Sequence, residues 1–372
     1  MIELDVLIVG AGPAGIGMAL ALDKQREIKY GIVEAGRIGE SFRRWPAQTR
    51  FITPSFYSNP FGLADLNAVN ETSSPALFAG EEHLSGEAYA LYLAALSEQH
   101  DLPLTEQCKV TAVVRIDDGS FVVSTDHGDL HTRFLIWATG EFQFPDLQPF
   151  TGAEHCHHYA HVKRWDDFPI GQHTVIGGYE SSLDAAINLV NAGSQVRVLA
   201  RSQSWGPDSA ADPSLSLSPY TRGRLNDALR SGNLEIVLGA DVMAVDRRSS
   251  DDFHIIAGDG RAWNAFYPPI LGTGFFKGGG ARQIEEFWDW DDEGRIALTE
   301  VDESTRTPGL YLVGPQVRHD PVIYCFIYKF RQRFALIRAH IADQMGIDPD
   351  TPASDGDWGP FGNSDCCEDC QC

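Results

Sequence analysis

Positive charge is scarce in this 372-residue chain: 29 lysines and arginines face 52 aspartates and glutamates, for a formal net charge of −23. No run of basic residues offsets that balance, which argues against nucleic acid or an anionic membrane surface as partners. Long apolar runs are also missing, so no segment reaches the length of a membrane span. The first residues lack a basic stretch ahead of an apolar core, so no secretory signal is expected and a cytoplasmic location is. Cysteine is sparse over most of the length. Cys108, Cys156 and Cys325 are scattered, and no Cys-x-x-Cys occurs before residue 366. A secreted disulfide framework would spread its pairs through the fold, so that class is excluded. The length itself is large for one core and favours two domains.

Glycine turns at strand ends are abundant. Residues 1–17 read MIELDVLIVGAGPAGIG: an apolar run, Val6–Val9, then Gly10, Ala11, Gly12, Pro13, Ala14 and Gly15, then apolar positions at helical spacing. Strand, tight turn and helix together are the context a dinucleotide fingerprint requires. Gly10 permits the turn, Gly12 lets a pyrophosphate approach the backbone, and Gly15 lets helix and strand pack closely. The phosphates would meet the free amides and positive end of the helix. A second strand, Tyr30–Val33, ends in Glu34, about 20 residues on, where such a unit places its ribose acceptor. Arg44 and Trp45 lie in the irregular segment that follows and suit a clamp on a pyrophosphate or a ring system.

Further on, Ser85 reads as the cap of a helix over 87–99, and Asp117–Gly119 as a hairpin between strands 109–116 and 120–125. A buried strand then stops at Thr139-Gly140. A second strand–turn–helix start is Thr174–Ser182, with Gly177, Gly178 and Ser181 in the turn. Its next strand ends in Arg201, a residue type that accommodates a 2′-phosphate, so NADPH is expected over NADH. Tyr179 stands where the second glycine belongs, and its side chain is expected to crowd the phosphates. Pro219 opens a helix capped by Ser218. Residues 269–274 echo the Thr-Gly strand ending, 309–315 form a last buried strand with its glycine turn, and a helix is expected over about 322–344.

This ordered set of motifs, over about residues 1–346, resembles the two-dinucleotide flavoprotein superfamily, which includes pyridine nucleotide-disulfide reductases and flavin monooxygenases. The resemblance is greatest to its bacillithiol-disulfide-reductase-like branch. It implies an α/β fold of two Rossmann-like, three-layer ββα domains, with an NADPH domain inserted into an FAD domain. The expected division is 1–150 and 276–348 for FAD, 151–275 for NAD(P)H, and a flexible Cys-rich tail over 349–372. Gly10, Gly12, Pro13, Ala14, Gly15 and Glu34 would then hold the ADP half of FAD. Val110 would bring backbone to the adenine, Thr139-Gly140 would mark the crossover, and Gly314-Pro315 would lie near the flavin, with proline where the family carries aspartate. Two signatures depart from that pattern. Ala14 occupies the place of a cysteine in the bacillithiol-type turn, and Cys156 stands where monooxygenases carry a histidine after Phe150-x-Gly152.

The tail reads Cys366-Cys367-Glu368-Asp369-Cys370-Gln371-Cys372 after a stretch rich in Asp, Pro, Gly and Ser. Four thiols in seven residues suit either a redox arm or capture of a soft metal ion, and neighbouring carboxylates raise thiol pKa values while attracting cations. Cys325 is a candidate relay between flavin and tail. His155, Cys156, His157, His158 and His161 form another cluster, in which His158 is the candidate proton donor; no residue set is assigned to a metal. The leading expectation is an FAD enzyme that passes hydride from NADPH to a small-molecule or small-protein disulfide through the tail. The alternatives are a flavin monooxygenase acting on a small molecule and a soft-metal flavoprotein or sensor. A homodimer is kept open.

Overall fold

A computed structural model of the chain describes residues 4–56, 64–203 and 212–348. The chain forms two compact units. Of the described residues, 4–43, 54–56, 64–143 and 277–348 make the first; 44–53, 144–203 and 212–276 belong to the second.

The first unit is built on β1 (Leu4–Val9), α1 (Pro13–Asp23) and β2 (Tyr30–Val33). Pro13 at the first helical position sets the helical φ of α1 and sacrifices an amide that would have no partner there. Nearly every residue of α1 is buried, and Gly17 leaves the room that a Phe334 ring fills: a β-carbon there would lie 2.2 Å from it. Helix α2 (Gly86–Gln99) starts where expected, the Ser85 hydroxyl accepting from the Ala88 amide. Then come β3 (Leu104–Thr105), β4 (Val110–Arg115), β5 (Phe121–Thr125) and the ten-residue β6 (Gly128–Trp137).

Strand β6 serves two partners in turn. Its first half pairs antiparallel with β5 from Gly128 to Thr132, forming a meander with β4. Its second half runs parallel to β1, with Val9 opposite Trp137. Trp137, the last residue of β6, is buried, and its indole donates to the Gly280 carbonyl at 2.9 Å.

The second unit holds the parallel strands β7 (His157–His158), β8 (Gln172–Ile176) and β9 (Gln195–Ala200), with helix α3 (Glu180–Asn191) between β8 and β9. Helix α4 (Pro219–Arg230) leads into β10 (Leu234–Leu238). A three-stranded antiparallel layer, β11 (Val242–Ser249), β12 (Asp252–Ala257) and β13 (Ala262–Ala265), precedes β14 (Ile270–Leu271). The sheet order is β10-β9-β8-β14-β7. Phe253, Ile255 and Val245 of the antiparallel layer pack with Ile176, Leu199 and Leu271 of the sheet. The unit begins and ends side by side, the Phe276 amide donating to the Phe144 carbonyl at 2.9 Å.

Back in the first unit, β15 (Leu310–Leu312) pairs parallel with the end of β6. The helix expected over 322–344 begins later. Val322 and Ile323 form the second strand of a hairpin, β16 (Arg318–His319) with β17 (Val322–Ile323). Short α5 (Ile327–Phe330) and α6 (Phe334–Met345) follow. The β-branched pair after Pro321 takes the extended conformation its side chains favour.

Candidate functional site

In the first unit, three parallel strand ends meet at the same level: Val9, Trp137 and Leu312 are in register across β1, β6 and β15. The three turns leaving them form the candidate cofactor site. Gly10 has φ +107°, and a β-carbon on it would lie 2.5 Å from the Ala138 carbonyl oxygen. Gly15 packs still closer, its missing β-carbon 1.9 Å from the Gly10 oxygen. Gly12 differs: among the described residues beyond its own chain neighbours, no atom lies within 4 Å of where its β-carbon would be. Gly10 and Gly15 are small because the chain packs on them. Gly12 faces open space, which is the opening a pyrophosphate needs at the start of α1.

Glu34 is buried at the end of β2. One carboxylate oxygen accepts the Ala11 amide at 2.7 Å and the other the Gly36 amide at 2.8 Å. The side chain thus ties the glycine turn to the loop after β2, at the strand end where a ribose acceptor is expected. Thr139 presents a buried hydroxyl oxygen with no hydrogen-bond partner among the described residues, an orphan of the kind a ligand completes. Gly314, φ +106°, sits against Ala14, their β-carbon positions 3.2 Å apart. These features fit a bound dinucleotide. Val110 opens β4, its side chain half-buried. Pro315 is followed by Gln316, whose amide bridges the Gly278 N–H, at 2.9 Å, and the Glu141 carboxylate. Burial raises the Glu141 carboxyl above the usual carboxylate range. Sequence reasoning passed over Glu141 and Gln316, because only the fold brings the two turns together.

The second unit repeats the device with different residues. Gly177, φ +123°, approaches the Gly272 carbonyl as Gly10 approaches Ala138. Ser182 takes the place of Gly15, its hydroxyl donating to that same Gly272 carbonyl at 2.9 Å. The Tyr179 hydroxyl donates to the carbonyls of Ser214 (3.0 Å) and Ser216 (2.7 Å), which ties its side chain to the segment before α4. Glu180, an acid at the first position of α3, would repel a phosphate. Its carboxylate instead accepts from the Ser218 amide and the Thr221 hydroxyl at the start of α4, each at 2.6 Å, and burial raises its pKa. Ser181 follows in the first turn of α3. Gly178 lies against Ala200, and the adjoining Arg201 is exposed, with no hydrogen bond or ion pair among the described residues. Thr273 repeats the buried hydroxyl of Thr139, likewise without a partner among the described residues. The echo of Thr139-Gly140 in Thr273-Gly274 was the sequence signal for it.

Against these two sites, a family model described as pyridine nucleotide-disulphide oxidoreductase matches residues 7–314. The chain belongs to this family. It is an FAD- and NAD(P)H-dependent oxidoreductase, with NADPH as donor. It is similar to the bacilliredoxin reductase of Bacillus subtilis, 25% identical over 242 residues, covering 65% of this chain and 68% of that protein. Among solved structures it resembles bacillithiol disulfide reductase from Staphylococcus aureus (TM-score 0.74, 19% identity, 92% of this chain and 99% of that one). A flavin-containing monooxygenase from Stenotrophomonas maltophilia is also similar (TM-score 0.70, 16% identity, 93% and 100%). Those two likenesses establish the fold, two Rossmann-like units of the family's kind.

The remaining expected residues fall in varied places. Arg44 and Trp45 belong to the second unit, where Trp45 packs on Phe51 with ring centroids 5.0 Å apart. Residues 44–53 are held there by a buried polar network. The Thr49 hydroxyl and the Tyr159 hydroxyl, 2.8 and 2.9 Å from it, both donate to Asp184 Oδ2. Arg224 pairs with Asp184 Oδ1 at 2.8 Å. His158 is buried with both ring nitrogens engaged: Nδ1 accepts the Ala160 amide at 3.2 Å, so Nε2 carries the proton and donates to the Gly274 carbonyl at 3.1 Å. Burial lowers its pKa and keeps the ring neutral. It braces Gly274 and leaves no nitrogen free for a substrate. Burial and the nearby Glu154 push the Cys156 thiol up to about 12, so it packs as an apolar group. Cys325 is half-buried between β17 and α5. Cys366, Cys367, Cys370 and Cys372 lie outside the described residues. Among the described residues, no helix is long and apolar enough to cross a membrane.

Proposed function

We propose that this oxidoreductase reduces a small-molecule or small-protein disulfide, and that its own C-terminal cysteines carry the electrons out. The balance is NADPH, a proton and one disulfide giving NADP⁺ and two thiols. FAD supplies the two-electron transfer between nicotinamide and dithiol. The chain supplies placement: the opening at Gly12, Glu34 and Thr139 for one nucleotide, and Ser181, Thr273 and Arg201 for the other.

The observation that carries the reading concerns the thiols. A dithiol beside the flavin is absent from the first turn, where Ala14 faces Gly314, and Cys156 is held as a neutral thiol. Cys108 is buried. What remains is the cluster of four at Cys366, Cys367, Cys370 and Cys372, with Cys325 as the relay. Similarity to a bacilliredoxin reductase supports the disulfide class of substrate.

The test is an anaerobic titration of the FAD-loaded protein with NADPH, followed by thiol counting and turnover with cystine and glutathione disulfide. The expected result is flavin bleaching, a pair of new thiols in the tail, and disulfide reduction. Replacing the four tail cysteines with serine should preserve bleaching and abolish the new thiols and the turnover. Unchanged turnover in that variant overturns the relay.

A further inference from the structure

Away from both nucleotide turns, the meander of the first unit brings together three side chains of different chemistry. The Cys108 sulfur, an Asp126 carboxylate oxygen and a His127 ring nitrogen all lie within 4.8 Å of one another. Cys108 stands two residues before β4, and Asp126 and His127 form the tip between β5 and β6. That β4–β5 pairing sets them face to face, since Val110 is opposite Thr125.

The backbone around them is fixed. The Lys109 amide donates to Asp126 Oδ1 at 2.8 Å, and the Asp126 amide returns a bond to the Lys109 carbonyl at 3.1 Å. The Thr125 hydroxyl accepts the His127 amide at 3.0 Å and donates to the Gly128 carbonyl at 2.7 Å. On the other side the Cys108 amide donates to the Glu34 carbonyl at 2.8 Å. While the backbone is tied, the Cys108 thiol and the His127 ring have no hydrogen bond or ion pair among the described residues. Thiol and imidazole converge beside a carboxylate whose one bond among the described residues is to the Lys109 amide.

We propose that Cys108, Asp126 and His127 form a site for one zinc-class divalent cation, with a fourth position open to water. The donor set decides the class. Magnesium and calcium take oxygen ligands alone, whereas zinc accepts sulfur, nitrogen and oxygen together. Ligand bonds of about 2.0–2.3 Å put neighbouring donors of a tetrahedral ion roughly 3.3–3.7 Å apart. Asp126 and His127 are exposed and Cys108 is buried, and binding requires the three donors to close from their present spread of up to 4.8 Å to that spacing. Bound there, the ion staples the start of β4 to the β5–β6 tip and holds the sulfur as thiolate.

The test uses the full-length, FAD-loaded protein with the four tail cysteines replaced by serine, which removes competing thiols. Cobalt(II) is added as a spectroscopic stand-in for zinc. The expected result is a thiolate-to-cobalt charge-transfer band with tetrahedral visible bands, saturating at one ion per chain and displaced by zinc. Cys108→Ser should remove the charge-transfer band. His127→Ala, at an exposed turn that tolerates the change, should weaken binding at least about tenfold, the scale on which even outer partners of a metal act. Circular dichroism of each variant checks that it is folded. Absence of the band, its survival in Cys108→Ser, or equal affinity in folded His127→Ala overturns the site. None of these readouts depends on disulfide turnover, so they stand or fall apart from the tail relay.

Discussion

The Tyr179 hydroxyl donates to the Ser216 carbonyl at 2.7 Å, tying the bulky side chain at the second glycine's position to the segment before α4. Tyr179→Phe therefore tests whether the bond matters. The variant should lose about 1 kcal/mol of stability, the net worth of one hydrogen bond, read as a lower urea midpoint. NADPH affinity should fall several-fold as residues 214–216 loosen. An unchanged affinity and midpoint would show the contact to be idle.

Gly12 and Gly15 separate binding from packing. Among the described residues, a β-carbon at Gly12 meets no atom beyond its chain neighbours within 4 Å, so Gly12→Val should leave the cofactor-free chain folded. Its FAD retention, read by release on gel filtration, should drop sharply. Gly15→Ala puts a carbon 1.9 Å from a backbone oxygen and should yield little folded protein with or without FAD. Equal FAD content in wild type and Gly12→Val would remove the pyrophosphate from this turn.

Asp184 collects Thr49, Tyr159 and Arg224 in a buried cluster. Removing the carboxylate leaves a cation and two hydroxyls without their acceptor. Asp184→Ala should cost about 3–5 kcal/mol, the scale of a broken buried pair, in equilibrium unfolding. Thr49→Val should cost less, about 1–2 kcal/mol, as the loss of one buried donor. A cost below that for Asp184→Ala would mean that Arg224 finds water instead.

Acid should weaken the second unit in a defined window. Burial lowers the pKa of His158 and of His173, so each is neutral in the fold. The stability they contribute is complete above the unfolded value of about 6.5 and is lost as pH falls through their lowered folded values. Urea midpoints should therefore decline as pH drops below about 6.5, and His158→Gln should flatten the decline. A profile with the same slope in the variant would place the acid sensitivity elsewhere.

Much of the site was legible because local chemistry dictates it. The turn at Gly10–Gly15 follows from strand, glycines and Pro13, and the caps at Ser85 and Ser218 were readable from single residues, the Thr221 amide donating to the Ser218 hydroxyl at 3.1 Å. Other features depend on distant pairing. Nothing local reveals that β6 leaves β5 and joins β15, or that Thr49 meets Asp184 across 135 positions. The histidine cluster shows the opposite failing: His157 and His158 adjoin in sequence, yet one is exposed and the other buried, because strand neighbours point to opposite faces. The helix misread at Val322–Ile323 came from aromatic and basic content, where β-branching was the better guide.

Phe144 and Phe276 close the second unit with a hydrogen bond, and in the first unit the Gly280 amide bonds the Gly140 carbonyl at 2.9 Å. By that geometry residues 144–276 could be cut out of a gene and the ends joined by a short linker. Residues 44–53 spoil the simple excision. They would stay behind, leaving Thr49, Trp45 and Phe51 stripped of their surroundings, while the excised piece would carry an unfilled slot at Asp184. A separable second unit therefore has to be assembled from two fragments, with the ten-residue strap spliced on or supplied as a peptide.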